Sequence, residues 1–374
     1  MKRTVLYLAG ALLLVLSACR KEKITPDTPP QPTPPEKAEI AGFYLLNQGN
    51  WGANKASLDY YDFATNNYTR NVYETRNPEV PTGLGDVGQD LQIYGSKLYA
   101  VINASNKVEV MDVATTRRIG QVEIPNARYI CFEGGKAYVS AYLSTKPGEK
   151  GAVFEIDTAT LAITHQFEVG LQPEMLSVVG GTLYVANSGG YNQPEYDKTI
   201  SVLPLTTKTP SASIPVAINL EMLRIDRHQQ IWVTSRGNYN DIPSNLYCLA
   251  KNATTGQYEV VKDMKLPCSR FDIRGDSLFY YHSFTDYEKH QTTNSFGVVD
   301  VKKREALTHS FLTDAAELVQ PYNLVLQPNG GNIYIADATD FKSSGFLYCY
   351  SYDGKFKWKV QTGDIPCAIA FVKK

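Results

Sequence analysis

The sequence predicts an all-β fold, a seven-bladed β-propeller whose ring is closed by the C-terminal strand completing the first blade. Three observations lead there. A short segment rich in aliphatic and aromatic residues recurs seven times, typified by Leu183-Tyr184-Val185-Ala186-Asn187. Side chains of this kind suit the pleated, half-buried surface of a strand. The aromatic anchors of successive copies lie 39 to 55 residues apart, about the length of a four-stranded blade. Finally, the first copy has no strand before it, and the last strand has no copy after it.

In chain order the anchors are Tyr44, Tyr99, Tyr138, Tyr184, Trp232, Phe279 and Tyr334. Each is followed by a second strand: 57–62, 107–112, 152–157, 199–204, 246–250, 295–300 and 345–350. Several of these end in an aspartate and a turn, as in Asp112-Val113-Ala114-Thr115 and Asp157-Thr158-Ala159-Thr160. Such a carboxylate accepts hydrogen bonds from backbone N–H groups two residues on. A third strand follows, for example 118–124 or 163–169. A short connection, often with proline, then leads into an apolar strand: 125–132, 173–179, 220–226, 267–274, 321–327 and 366–372, with 90–94 serving the second copy. The last of these returns to the first anchor. A ring closed in this way leaves no open sheet edge, whereas a linear solenoid needs capping repeats.

The propeller is assigned to residues 41–374. Residues 1–19 form a targeting segment: Lys2 and Arg3 are a positive start, and residues 5–16 are an apolar run too short to span a bilayer comfortably. The run ends Leu16-Ser17-Ala18-Cys19, which resembles a bacterial lipobox and implies lipidation of Cys19 as the mature N-terminus. Residues 20–40 form a tether. Pro26, Pro29, Pro30, Pro32, Pro34 and Pro35 favour an extended chain, which holds the domain on the order of 50 Å from its anchor.

The formal net charge is -1 with 20% charged residues, and no basic stripe occurs, which argues against nucleic acid as a partner. Beyond Cys19 the cysteines are Cys131, Cys248, Cys268, Cys349 and Cys367. Their number is odd, their neighbours are apolar and no CxxC spacing occurs, so buried thiols are expected rather than a zinc or redox site.

With strands A to D named from the channel outward, the B–C loops and D–A connections share one face, and the A–B and C–D turns share the other. The A–B turns are tight glycine pairs such as Gly134-Gly135 and Gly180-Gly181. The B–C loops are long: 48–56, 143–151, 188–198, 237–245, 283–294 and 338–344, with only 104–106 short. Long loops on a rigid scaffold are where binding residues concentrate. The candidate ligand-binding residues are Asn47, Asn50, Trp51, Asn103, Tyr142, Asn187, Tyr191, Asn192, Tyr196, Arg236, Tyr239, His282, Phe284, Tyr287, Asp337 and Phe341. Aromatic faces supply apolar area, and amides supply donors and acceptors without the desolvation cost of a full charge. That combination suits a large polar solute, neutral and rich in amides or hydroxyls. No cofactor is expected.

The repeated LYVAN-type strand with its Asp-Thr turn resembles the YncE-like seven-bladed propellers over residues 41–374. No Gly-His…Trp-Asp pairing of the WD40 type occurs. Residues 43–62 (FYLLNQGNWGANKASLDYYD), GDVGQDLQIYGSKLYAVIN, NKVEVMDV and LYVANSGGYNQPEYDKTISV are similar to the BtuG-type cobalamin-binding surface lipoproteins of Bacteroidetes. The resemblance implies a lipid-anchored protein of the outer membrane, displayed at the cell surface, which captures cobalamin or a related corrinoid. It further implies a TonB-dependent transporter of the BtuB type as partner. A glycan-binding or protein-interaction propeller is an alternative.

Other motifs carry less. Gly83-Leu84-Gly85-Asp86-Val87-Gly88 matches GxGxxG but is followed by a strand, not a helix, so it is taken as a connection between blades. The histidines are scattered; His165 and His309 are placed in outer strands. Asp86, Asp90, Glu174 and Glu221 lie near the starts of A strands on the loop face. A metal held by such carboxylates would support lactone or ester hydrolysis, which is the enzyme alternative.

Overall fold

Each copy of the repeat folds because its strand B has nonpolar side chains on both sides and must be covered on both faces. In the computed structural model, which describes residues 39–209, 212–286, 291–315 and 317–374, this produces seven antiparallel four-stranded sheets arranged as a ring. Blade 1 is built from Pro366–Lys373, Ile40–Asn47, Ser57–Asp62 and Asn67–Thr69 in sheet order, innermost first. Blades 2 to 7 follow the chain, with inner strands Gly88–Tyr94, Ala127–Glu133, Pro173–Val179, Leu220–Ile225, Arg270–Arg274 and Pro321–Leu326. The ring closes where Ile40–Asn47 pairs antiparallel with Pro366–Lys373, setting Tyr44 opposite Ala370.

The core is divided among the seams between blades. The cluster of Tyr99, Val101, Val108 and Val110 with Ile130 and Val139 joins blades 2 and 3. Phe43, Leu45 and Tyr61 pack on Tyr334, Ala336 and Leu347 at the seam between blades 7 and 1. All seven aromatic anchors are buried. Each is worth about 2–3 kcal/mol by area removed from water. The aspartates that end C strands make the expected turns: Asp112 accepts from the N–H groups of Ala114 and Thr115, and Asp157 from those of Ala159 and Thr160.

Four details depart from the sequence reading. Most of segment 283–294 is strand and not loop: Ser277–Asp286 and Gln291–Asp300 reach into it from both sides, pairing Phe284 with Thr293. Its threonines and phenylalanine favour strand, and Thr285 and Thr292 meet at 3.1 Å. A short helix, Val72–Arg76, lies between blades 1 and 2 where only a connection was expected. The inner strand of blade 6 begins at Arg270, not Pro267. The outer strand of blade 6 is only Glu305–Ala306, so His309 lies beyond it. The GxGxxG segment ends where the inner strand of blade 2 begins, and it does connect two blades.

Candidate functional site

Among the described residues, seven aromatic side chains are strongly exposed, and five belong to the loop face: Trp51 (74%), Tyr191 (58%), Tyr239 (69%), Phe284 (60%) and Phe341 (42%). Leu143, Ile242 and Val319 are exposed on the same face. The loops that carry these groups are internally braced. Asn238 donates to Asp241 and accepts from the N–H groups of Asn240 and Ile242. Gly237, at φ +69°, leaves room for this turn; a Cβ there would sit 1.9 Å from the Ile242 carbonyl oxygen. Tyr239 and Phe341 themselves adopt φ of about 60° and 58°. This left-handed conformation costs a bulky residue about 1–2 kcal/mol. Both side chains project outward at that cost.

The loops also brace one another. Asn50 donates to the Lys342 carbonyl at 3.0 Å, joining the loops of blades 1 and 7. Asn192 accepts from the Gly148 N–H at 2.8 Å, joining those of blades 4 and 3. The Tyr196 pKa is raised, by burial first and then by the neighbouring Tyr239 phenol.

At the axis, where the inner strands start, a chain of ion pairs crosses four blades. Arg128 Nε meets Glu174 Oε2 at 3.0 Å, and its Nη1 meets Gln89 Oε1 at 2.9 Å. Arg236 bridges Glu174 at 3.0 Å and Glu221 at 2.6 Å. Arg270 Nη1 continues to Glu221 at 2.7 Å. Tyr142 donates its hydroxyl to Glu174 at 2.5 Å while the Arg128 guanidinium lies 5.0 Å from its ring centre. Burial pushes the Glu221 carboxyl up, but Arg236 and Arg270 outweigh it and hold the pKa down at about 2. Burial also disfavours the charge on Arg128, Arg236 and Arg270, and the carboxylates reverse that effect.

The register explains how several of these side chains reach the axis. The pairing shifts at the start of the inner strands of blades 2, 3, 4, 5 and 7. An extra residue there leaves the ladder and is re-aimed. Gln89, Arg128, Glu174, Glu221 and Tyr322 are these residues, and Tyr322 donates to Gln48 at 2.7 Å.

The structure sorts the candidate residues into three groups. Trp51, Tyr191, Tyr239, Phe284 and Phe341 stand on the surface, with Asn50, Asn192, Tyr196, Arg236 and His282 partly exposed among or below them. Asn47, Asn103, Asn187 and Asp337 are corrections: they are buried under the loop face and act as braces. Asn47 donates to Asp59 and Asn187 to Ser201, Asn103 bonds the Ala127 carbonyl, and Asp337 accepts from the N–H groups of Val319 and Thr339. The Asn103 and Asn187 amides, each at the end of an apolar strand, reach the Ala127 and Thr199 carbonyls where the ladder stops. Tyr142 is likewise buried, committed to Glu174. Tyr287 and Cys19 lie outside the described residues.

Arg128 and Arg270 were missed by the sequence reading. Each is a charged residue at the opening of an inner strand, the position that Glu174 and Glu221 occupy nearby. The four carboxylates considered as metal ligands each make other contacts, Asp86 through only one of its oxygens. Glu174 and Glu221 hold arginines, Asp86 accepts from the Gly52 N–H, and Asp90 from those of Leu91 and Ile130. At the edge of the loop face a cavity of about 430 Å³ is lined by Lys55, Arg70, Glu74 and Asp364, among others.

A family model described as a domain of unknown function, DUF5074, matches residues 41–214, from blade 1 into the outer strand of blade 4. No curated protein matches the sequence. Among solved structures, the chain is similar to a hypothetical selenium-binding protein from Sulfolobus tokodaii, with 11% identity and a TM-score of 0.65 over 89% of this chain and 93% of that one. It is also similar to a putative 6-phosphogluconolactonase from Bacteroides uniformis, with 12% identity and a TM-score of 0.63 over 89% and 100%. A third is the hydrazine synthase of Kuenenia stuttgartiensis, with 15% identity and a TM-score of 0.61 over 76% and 89%. At these identities the likeness is one of fold.

Proposed function

We propose that this chain is a solute-capturing propeller, anchored through lipid on Cys19 and tethered by residues 20–40, which binds cobalamin or a related corrinoid on its loop face. The solute then passes to a TonB-dependent outer-membrane transporter of the BtuB type. One observation carries the reading: five exposed aromatic side chains are gathered on the braced loop face around a polar mouth. Exposed aromatics mounted on rigid loops are anchors in need of a partner. A corrinoid is large, apolar at its edges and rich in amides, and so complements both the rim and the mouth. If it buried about 400 Å² of apolar area, the gross gain would be roughly 10 kcal/mol before association costs.

The lactonase named among the structural neighbours suggests hydrolysis instead. That chemistry needs carboxylate oxygens free to hold a metal or activate water, and Glu174 and Glu221 are already held by arginines. Capture is therefore the better-supported reading.

The test is titration calorimetry of the full chain, purified in mild detergent, with cyanocobalamin. Binding at micromolar concentration is expected. Alanine at Trp51, Tyr191 and Tyr239 together should weaken it on the order of a hundredfold, as loss of interface anchors does. The melting temperature should barely move, because all three side chains are more than half exposed. No heat at tens of micromolar sinks the corrinoid reading, and unchanged affinity in the triple variant moves the site off the loop face.

A further inference from the structure

We infer that the axial mouth is a receptor for one anionic group, a phosphate ester or a carboxylate, carried by the captured solute. The inference deepens the capture reading and rests on it for the location of the solute. In the chain of ion pairs at the mouth three guanidiniums meet two carboxylates, so the chain itself carries one net positive charge. The two signs are layered. The Arg128, Arg236 and Arg270 side chains are 16%, 23% and 17% exposed, while Glu174 and Glu221 are 1% and 7% exposed. A group entering along the axis meets guanidinium first.

Each guanidinium has five N–H donors in a flat fork that fits phosphate or carboxylate oxygens. Arg270 meets Glu221 through Nη1, and Arg128 uses Nε and Nη1, so both keep donors for a ligand. The glutamates beneath fix the arginines in place, so little side-chain freedom is lost on binding. In a partly desolvated mouth a charge-assisted hydrogen bond is stronger than on an open surface. The mouth is also continuous with the aromatic rim: Tyr142 packs edge-on against Tyr191 with ring centres 6.1 Å apart, and Tyr322 against Phe341 at 5.5 Å. An anion on the axis thus leaves the apolar body of the same molecule against the rim.

The test has two arms, each run on the full chain and on Arg270→Gln, in which Glu221 keeps Arg236. In the first, millimolar phenyl phosphate and phenyl glucoside are compared by thermal shift. Phenyl phosphate should stabilise the wild type, phenyl glucoside should not, and Arg270→Gln should lose the difference. In the second, cyanocobalamin, which carries a phosphodiester, is compared with dicyanocobinamide, which lacks it. The wild type should prefer cyanocobalamin about tenfold, and the variant should bind both alike. Phosphate stabilisation without binding of either corrinoid upholds the anion receptor and removes the corrinoid reading. Equal binding of both corrinoids with no phosphate effect does the reverse. If Arg270→Gln fails to fold, the phosphate-against-glucoside comparison in the wild type decides alone: equal shifts overturn the receptor.

Discussion

Glu221 shows how one residue sets the character of the mouth. Its ordinary carboxyl pKa of 4.5 falls to about 2 in the fold: burial raises it, and Arg236 and Arg270 more than reverse that. The native state therefore binds fewer protons than the unfolded chain between these values. Its stabilisation is complete above 4.5 and lost as the pH falls toward 2, a swing of about 3 kcal/mol. Glu221→Gln should accordingly be about 3 kcal/mol less stable than wild type at pH 7, since a buried pair is broken. Urea unfolding at neutral pH and at successive steps below 4.5 checks this, with the gap expected to narrow as the acid end is approached. A gap independent of pH would mean that the loss is one of shape, not charge. Residues of this kind were only half legible in the sequence. Glu174 and Glu221 stood out as carboxylates at strand starts, but most of their partners come from other blades, 46 residues away for Arg128 and Glu174. Pairing at such distance is not visible in local pattern. The same limit applies to Asn47 and Asn187: polarity at a loop edge was evident, but not whether the amide faces solvent or the chain beneath.

Among elements, the helix Val72–Arg76 was hidden because five residues are too few to show a helical period. It is nonetheless firmly placed. Tyr73 is fully buried and donates to Glu109 at 3.0 Å. Glu109 is fully buried too, and pairs with Lys107 and Arg118, both at 2.7 Å. Asn77 donates to the carbonyls of Tyr73 and Thr116, tying the helix to blade 2. Tyr73→Phe should cost about 2 kcal/mol, the worth of a hydrogen bond to a buried charge, and Tyr73→Ala about 4 kcal/mol, once a cavity is added. Denaturant midpoints of the two variants measure both. Equal losses would assign the whole effect to packing. The hairpin carrying Phe284 was misread for the opposite reason. Its alternating Thr and Ser residues suit either a polar loop or an exposed strand pair, and only the cross-strand partners decide.

Over the whole molecule the reading from sequence held well, because the repeat is an architectural signal: seven anchors, seven seams, and a terminal strand left over to close the ring. That closure has a testable consequence. The Lys374 N–H bonds the Glu39 carbonyl at 2.8 Å, so the ends of the propeller meet. Joining them with a short linker and opening the chain between Gly180 and Gly181, a turn where even an added Cβ meets nothing within 4 Å, keeps every strand pair. That permutant should melt in one transition within a few degrees of the parent. Removing residues 366–374 strips strand Ile40–Asn47 of its inner partner and should abolish the cooperative transition in scanning calorimetry. A sharp transition in the truncated chain would show that six and three-quarter blades suffice.

The same seam gives the protein a folding schedule. A chain made from its N-terminus produces Tyr44 long before Ala370, yet these two residues face each other in one sheet. Bringing together ends separated by so long a chain costs on the order of 5 kcal/mol in an unstructured polymer. The six blades between them reduce that cost as they form and curve the chain back on itself. Blade 1 is thus the earliest begun and the latest finished. Until the final strand arrives, the edge of strand Ile40–Asn47 stays open to any strand that reaches it sooner, and the growing chain must be shielded for that interval.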